Sequence, residues 1–162
     1  MNVEIIKADY RDPTHAREIV SLLGAYARDL SGGASELSEE TVLNLPAELA
    51  RLPHAFSILA YVDGSAAGLA NCFEGFSTFA CKPLINVHDM VVLPQYRRRG
   101  ISLLLLQEIE RIAREKNCCK ITLEVLEGNA AAQAAYRKFG FAEYQLDPEM
   151  GKALFWQKKL DG

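Results

Sequence analysis

The sequence predicts an α/β fold built on a mixed, mostly antiparallel sheet of about six or seven strands, flanked by about four helices. Three observations predict it. Strand-like and helix-like apolar periodicities follow one another along all 162 residues. Asp63-Gly64 separates two strand-like runs and marks an antiparallel hairpin, because both centres of a type I′ turn need positive φ. The stretch from Leu84 to Leu126 reads strand, helix, strand, with a connection long enough to imply a right-handed parallel crossover.

The elements follow in chain order. Val3 to Ala8 alternates as a first strand. Asp12-Pro13 opens a helix, since Asp suits the cap and Pro the first turn. Ile19, Val20, Leu22, Leu23 and Tyr26 recur on one helical face, and Gly32-Gly33 ends the run. Ser35 to Leu52 is a second helical region, with Ser38 and Thr41 offering caps and Pro46 interrupting the apolar stripe. Residues 55–62 and 66–73 form the hairpin. Glu74 to Pro83 is expected as a loop whose Phe76 and Phe79 lid the core or wall an acceptor site. Leu84 to Val92 is a central strand, about Ile101 to Lys116 a helix, and Lys120 to Leu126 the next strand. Asn129 to Phe139 is an Ala-rich helix stopped by Gly140. Residues 141–146 and 153–160 complete the list as a closing antiparallel pair around Asp147-Pro148.

Composition bounds the function. A chain of this length with 49% hydrophobic residues can build one core, so a single domain over 1–162 is expected. A formal net charge of -3, with no second basic block, argues against nucleic acid as a partner. The apolar runs are too short to span a bilayer, and Met1 to Tyr10, carrying Glu4, Lys7 and Asp9, has no signal pattern. A cytoplasmic protein without a membrane partner is expected. Cys72, Cys81, Cys118 and Cys119 show no ligand spacing, and His15, His54 and His88 are scattered, so no metal is expected.

The chemistry concentrates where the central strand passes through Pro94 and a basic segment into the helix at Ile101. Free amides at a helix N-terminus, with Arg97, Arg98 and Arg99 beside them, make an anion site suited to a phosphate. The segment VVLPQYRRRGIS resembles the acyl-CoA pyrophosphate loop of the GNAT superfamily of N-acetyltransferases: Arg or Gln, two residues, Gly, one residue, Gly or Ala. Arg97 and Gly100 fit, whereas Ser102 stands where the superfamily prefers Gly or Ala. In LEVLEGNAAAQAAYRKFGF a second resemblance lies in Asn129, Ala132, Tyr136, Gly140 and Phe141. Both motifs occur in the superfamily's order.

The resemblance implies a GNAT fold with a parallel strand pair at the acyl-CoA site. It implies acetyl-CoA as co-substrate, its pyrophosphate at Arg97, Arg98, Arg99, Gly100, Ile101 and Ser102. By the same analogy the backbone of Met90, Val91 and Val92 holds the pantetheine arm, with the Val91 N–H aimed at the developing oxyanion. Tyr136 would donate to the departing sulfur, its alternative role being a core tyrosine; Asn129 would bond the pantetheine arm or cap its helix. His88 and Asp89 interrupt an apolar strand and, with Glu124, are the candidates for proton acceptor or for structural ties. They share faces with Asn86 and Met90, and with Val87 and Val91, respectively, unless a bulge resets the alternation. The implied activity is transfer of acetyl to a primary amine of a small molecule or protein by direct attack in a ternary complex, since Cys118 and Cys119 lie away from the phosphate loop. A non-catalytic acetyl-CoA-binding regulatory module is the alternative, and a homodimer is allowed.

Overall fold

Val3–Lys7 (β1) begins a sheet in which each of the first three strands pairs antiparallel with the next in sequence. Pro13–Arg28 (α1) starts where Asp12 accepts from the Thr14 and His15 N–H groups. It ends where Asp29 leaves helical geometry and a short 3-10 turn follows at Leu30–Gly32. Glu39–Ala50 (α2) is capped by Ser38, which accepts from the Thr41 N–H, and continues through Pro46. The computed structural model describes residues 1–161, which divide into two compact units, Met1–Leu126 and a second beginning at Glu127.

Ala55–Val62 (β2) and Ser65–Ser77 (β3) form the expected hairpin, with Asp63 and Gly64 at φ +48° and +80°. The segment expected as a loop over 74–83 is mostly sheet, because β3 runs on to Ser77 and pairs with Lys82–Val92 (β4) down to Ser77 opposite Lys82. Phe76 and Phe79 are 59% and 94% exposed, so neither lids the core. Ile101–Glu115 (α3) leads to Ile121–Leu123 (β5), which pairs parallel with β4 as the crossover requires.

The sheet, in the order β1-β2-β3-β4-β5, separates two apolar layers. Ile58, Ala70, Cys72, Ile85 and Val87 pack with Ile101, Leu105 and Ile109 of α3 on one face. Leu59, Leu69 and Val91 pack with Ile19 and Leu22 of α1 on the other. Gly68 allows a close approach within the sheet and to α3, since a Cβ there would lie 3.1 Å from the Val91 carbonyl oxygen and 3.3 Å from Leu105 Cδ1.

The second unit holds Ala130–Phe139 (α4), stopped by Gly140 at φ +116°. The closing strand pair is a correction: the sheet has five strands, and 141–146 and 153–160 form none among the described residues. The Ala153 N–H donates to the Tyr144 carbonyl at 3.0 Å, but no ladder extends from it, and Leu154, Phe155 and Trp156 are exposed. Alternation records side chains that suit a strand. A strand exists only where a neighbour takes up its backbone groups.

Candidate active site

The site begins with a bulge. Asn71 of β3 stands opposite Asp89, but the next residue, Cys72, stands opposite Val87, so His88 is an extra residue in β4. The bulge resets the alternation. Ile85 and Val87 face α3 before it and Met90 and Val92 after it, which leaves Asp89 with Val91 on the α1 face. His88 joins Asn86 on that same face and meets the Phe73 ring edge-on at 5.5 Å. His88 and Asp89 therefore lie on the same face of the sheet, where two-residue alternation would have separated them.

The bulge also turns the backbone. Ile85 donates to the Lys120 carbonyl toward β5, whereas Leu93, beyond the bulge, donates to Ala67 in β3. Alternation then points Val91 toward β3 with Leu93, and Met90 and Val92 toward the β5 side. β5 ends at Leu123, opposite Val87, so no strand of the described sheet pairs with β4 on that side beyond Val87. An open edge presenting Met90 and Val92 is the result, and Val91, expected to supply a donor there, is turned away from it.

Past β4 the chain makes a 3-10 turn, Pro94–Tyr96, and reaches α3 through Gly100 at φ +79°. No side chain caps α3, and an added Cβ on Gly100 would meet nothing within 4 Å. The first amides, at Ile101 and Ser102, thus lie at the positive end of the helix dipole beside open space. This is a cradle that a phosphate fits. The three arginines divide. Arg97 is committed within the fold, its Nε donating to the Val92 carbonyl at 2.9 Å and Nη2 to Asp29 Oδ2 at 2.9 Å. That guanidinium, with the Ser31 N–H, holds the Asp29 carboxyl below its ordinary value. Arg99 lies over the Tyr96 ring at 5.9 Å. Arg98, at φ +63°, makes no ion pair among the described residues.

Asp89 is half-buried, and its Oδ2 accepts from Asn71 Nδ2 at 3.0 Å. Burial raises the Tyr26 hydroxyl above its ordinary value, and the negative charges of Asp89, Asp29 and Glu124 raise it further. The carboxylates expected as alternatives therefore act on one tyrosine of α1. Sequence reasoning missed Asn71 and Tyr26. A lone Asn inside the apolar run LANCF was the available signal for the first; the second was legible only as an apolar-face residue.

In the second unit Asn129 caps α4, its Oδ1 accepting from the Ala132 N–H at 3.2 Å. Tyr136 lies on α4 with its ring edge-on to Phe141 at 5.9 Å. Among the described residues, no group of three or more His, Cys, Asp or Glu side chains could hold a metal, and no helix is long and apolar enough to cross a membrane.

Comparison with known proteins places these features in context. Residues 9–141 match the acetyltransferase (GNAT) family, a span that includes the β4 bulge, the α3 N-terminus and α4. An aminoglycoside N(6')-acetyltransferase type 1 of Acinetobacter haemolyticus is 26% identical over 127 residues, 76% of this chain and 83% of that protein. A thialysine N-epsilon-acetyltransferase of Caenorhabditis elegans is 26% identical over 140 residues, 83% of this chain and 80% of the relative. Among solved structures, the aminoglycoside N-acetyltransferase AAC(6')-Iy in complex with CoA superposes with a TM-score of 0.73 at 21% identity, over 98% of this chain and 96% of that one. At that identity the likeness concerns the fold.

Proposed function

The chain belongs to the acetyltransferase (GNAT) family, and from that premise we propose that it transfers the acetyl group of acetyl-CoA to a primary amine of a small molecule, by direct attack in a ternary complex. In this reading both units act as one cytoplasmic enzyme domain, with neither nucleic acid nor membrane as a partner; a homodimer is compatible with it. The observation that carries the reading is the pairing, on one strand and its continuation, of an open β4 edge with an uncapped helix N-terminus.

When bound, acetyl-CoA supplies the activated acetyl thioester. The Ile101 and Ser102 amides, with Arg98 and Arg99 beside them, hold the pyrophosphate. Met90 and Val92 offer backbone groups to an extended amide-bearing arm. Arg97 fixes the loop by joining the Val92 carbonyl to Asp29. Asp89 Oδ1 takes the amine proton as the new N–C bond forms, and Tyr136 Oη gives one to the sulfur as the C–S bond breaks. His88 holds the bulge against Phe73. Asn129 keeps its cap and offers its amide N–H groups to the arm.

A cationic acceptor suits the charge, because Asp89 and Glu124 both act on Tyr26, whereas Asp29 is already paired with Arg97. The named relatives support a small-molecule amine, one modifying an aminoglycoside and the other thialysine. A panel of aminoglycosides, diamines and lysine analogues, assayed for CoA release, tests the reading. Amine-dependent release that slows by about a hundredfold on Tyr136→Phe, and slows on Asp89→Asn, is expected. Tight acetyl-CoA binding with no release for any amine would favour a regulatory module.

A further inference from the structure

Two polar side chains are buried in the described core, Ser57 at 0% and Asn71 at 4% exposure, and they touch each other. Ser57 stands opposite Asn71 across β2 and β3, and Asn71 opposite Asp89 across β3 and β4, so the three form one transverse row on the α1 face. Tyr10, from the segment leading into α1, completes it. Its hydroxyl lies 2.8 Å from Ser57 Oγ; Ser57 Oγ lies 2.6 Å from Asn71 Oδ1; and Asn71 Nδ2 lies 3.0 Å from Asp89 Oδ2. We infer that Tyr10, Ser57 and Asn71 are positioning residues that hold the Asp89 carboxylate in place, leaving its Oδ1 to take the amine proton.

The direction of every bond follows from the charge at one end. An ionised carboxylate only accepts, so Asn71 must turn its NH2 group to Asp89 and its oxygen to Ser57. Ser57 then spends its single proton on Asn71 and must accept from Tyr10. Burial raises the Tyr10 hydroxyl above its ordinary value, which keeps that terminal donor protonated. All donors point toward Asp89, and Oδ1 accepts no hydrogen bond among the described residues. Were Asp89 protonated, nothing would oblige Asn71 to keep this orientation.

The fold does not require the row. Its surroundings on that face are Leu59, Leu69 and Val91, and replacing both partners of a buried hydrogen bond by apolar groups of similar shape is often nearly neutral. A hydrogen-bonded file crossing three strands to one carboxylate is what a fixed acceptor needs. The charged and titratable groups that bear on Asp89 are Tyr26 from α1, Cys72 from β3 and the adjoining His88. Asp29 and Glu124 act on Tyr26 as well.

The inference rests on the reading of Asp89 as proton acceptor, and its test separates the two. The full chain is labelled with carboxyl-13C aspartate, the Asp89 resonance is assigned with Asp89→Asn, and the titration is followed in Asn71→Leu, Ser57→Ala and Tyr10→Phe. In Asn71→Leu the midpoint should move upward by about one pH unit, as expected for loss of a hydrogen bond to a charged group. Tyr10→Phe, which removes one partly buried hydroxyl and keeps the ring, should move it in the same direction by less. The acidic limb of kcat against pH should follow the resonance in each variant. A midpoint unmoved in Tyr10→Phe and in whichever interior variants fold would overturn the chain, whatever their stability. A midpoint that moves while the kcat profile stays would keep the chain and refute Asp89 as acceptor. Absence of CoA release with every amine would refute the proposed activity, and the resonance would still decide the chain.

Discussion

Gly100→Val, set against Gly64→Ala, separates a phosphate cradle from an ordinary left-handed turn. The two glycines have nearly the same backbone, φ +79° and +80°, and at both an added Cβ would meet nothing within 4 Å. The intramolecular cost is therefore backbone alone, about 1–2 kcal/mol for an L-residue in the left-handed region. Urea unfolding should show a loss of that order for Gly64→Ala and Gly100→Ala alike, somewhat more for Gly100→Val. Affinity should part them. Gly64 sits in the β2–β3 hairpin, whereas Gly100 is the N-cap of α3, where the open space is the space a pyrophosphate needs. A hydrogen bond to a charged group contributes about 1.5–3 kcal/mol. Displacing one phosphate oxygen from the Ile101 or Ser102 amide should thus cost about tenfold or more in Kd, at about 1.4 kcal/mol per decade. Arg98→Ala should cost less, because Arg99 and the amides remain. The measurement is calorimetric titration with acetyl-CoA. An affinity for Gly100→Val within about twofold of the parent chain, or an equal loss in Gly64→Ala, would refute the cradle.

Tyr136→Phe should lower kcat by about a hundredfold while leaving acetyl-CoA affinity nearly unchanged, since it deletes only the proton donor and keeps the ring beside Phe141; turnover equal to the parent with the best amine would make it a packing residue. Asp29→Asn tests the Arg97 pin. The Asp29 carboxyl is held below its ordinary value by Arg97 and the Ser31 N–H, so its folded value lies under the unfolded one. The stability it contributes is present above about pH 4 and lost as pH falls through the folded value. The variant should be less stable at neutral pH by under about 1 kcal/mol, because the pair is partly exposed, with the difference from the parent vanishing in acid. A difference that persists at about pH 2 would place the effect elsewhere than in the ion pair.

What the residues determined by themselves was whatever the backbone decides within a few positions. Asp63-Gly64 specified its hairpin because two adjacent positive φ values are a local demand, and Ser38 specified the start of α2 through a cap three residues long. The path of the chain from β4 through a turn and Gly100 into α3 was legible for the same reason, and so was the resemblance carried by Tyr136 and Asn129. Tertiary pairing decided the rest. His88 and Asp89 share a face only because β3 is one residue shorter than β4 between their paired positions. Arg97, legible as a phosphate ligand, is tied to Asp29 across 68 residues of chain. Ser57, Asn71 and Asp89 form a row only through the register of three strands, and 153–160 alternates like a strand without a ladder to join. Periodicity repeats along the chain and can be read from it. Register is a choice among pairings of distant segments, made by the packing and backbone hydrogen bonds that the folded sheet alone supplies.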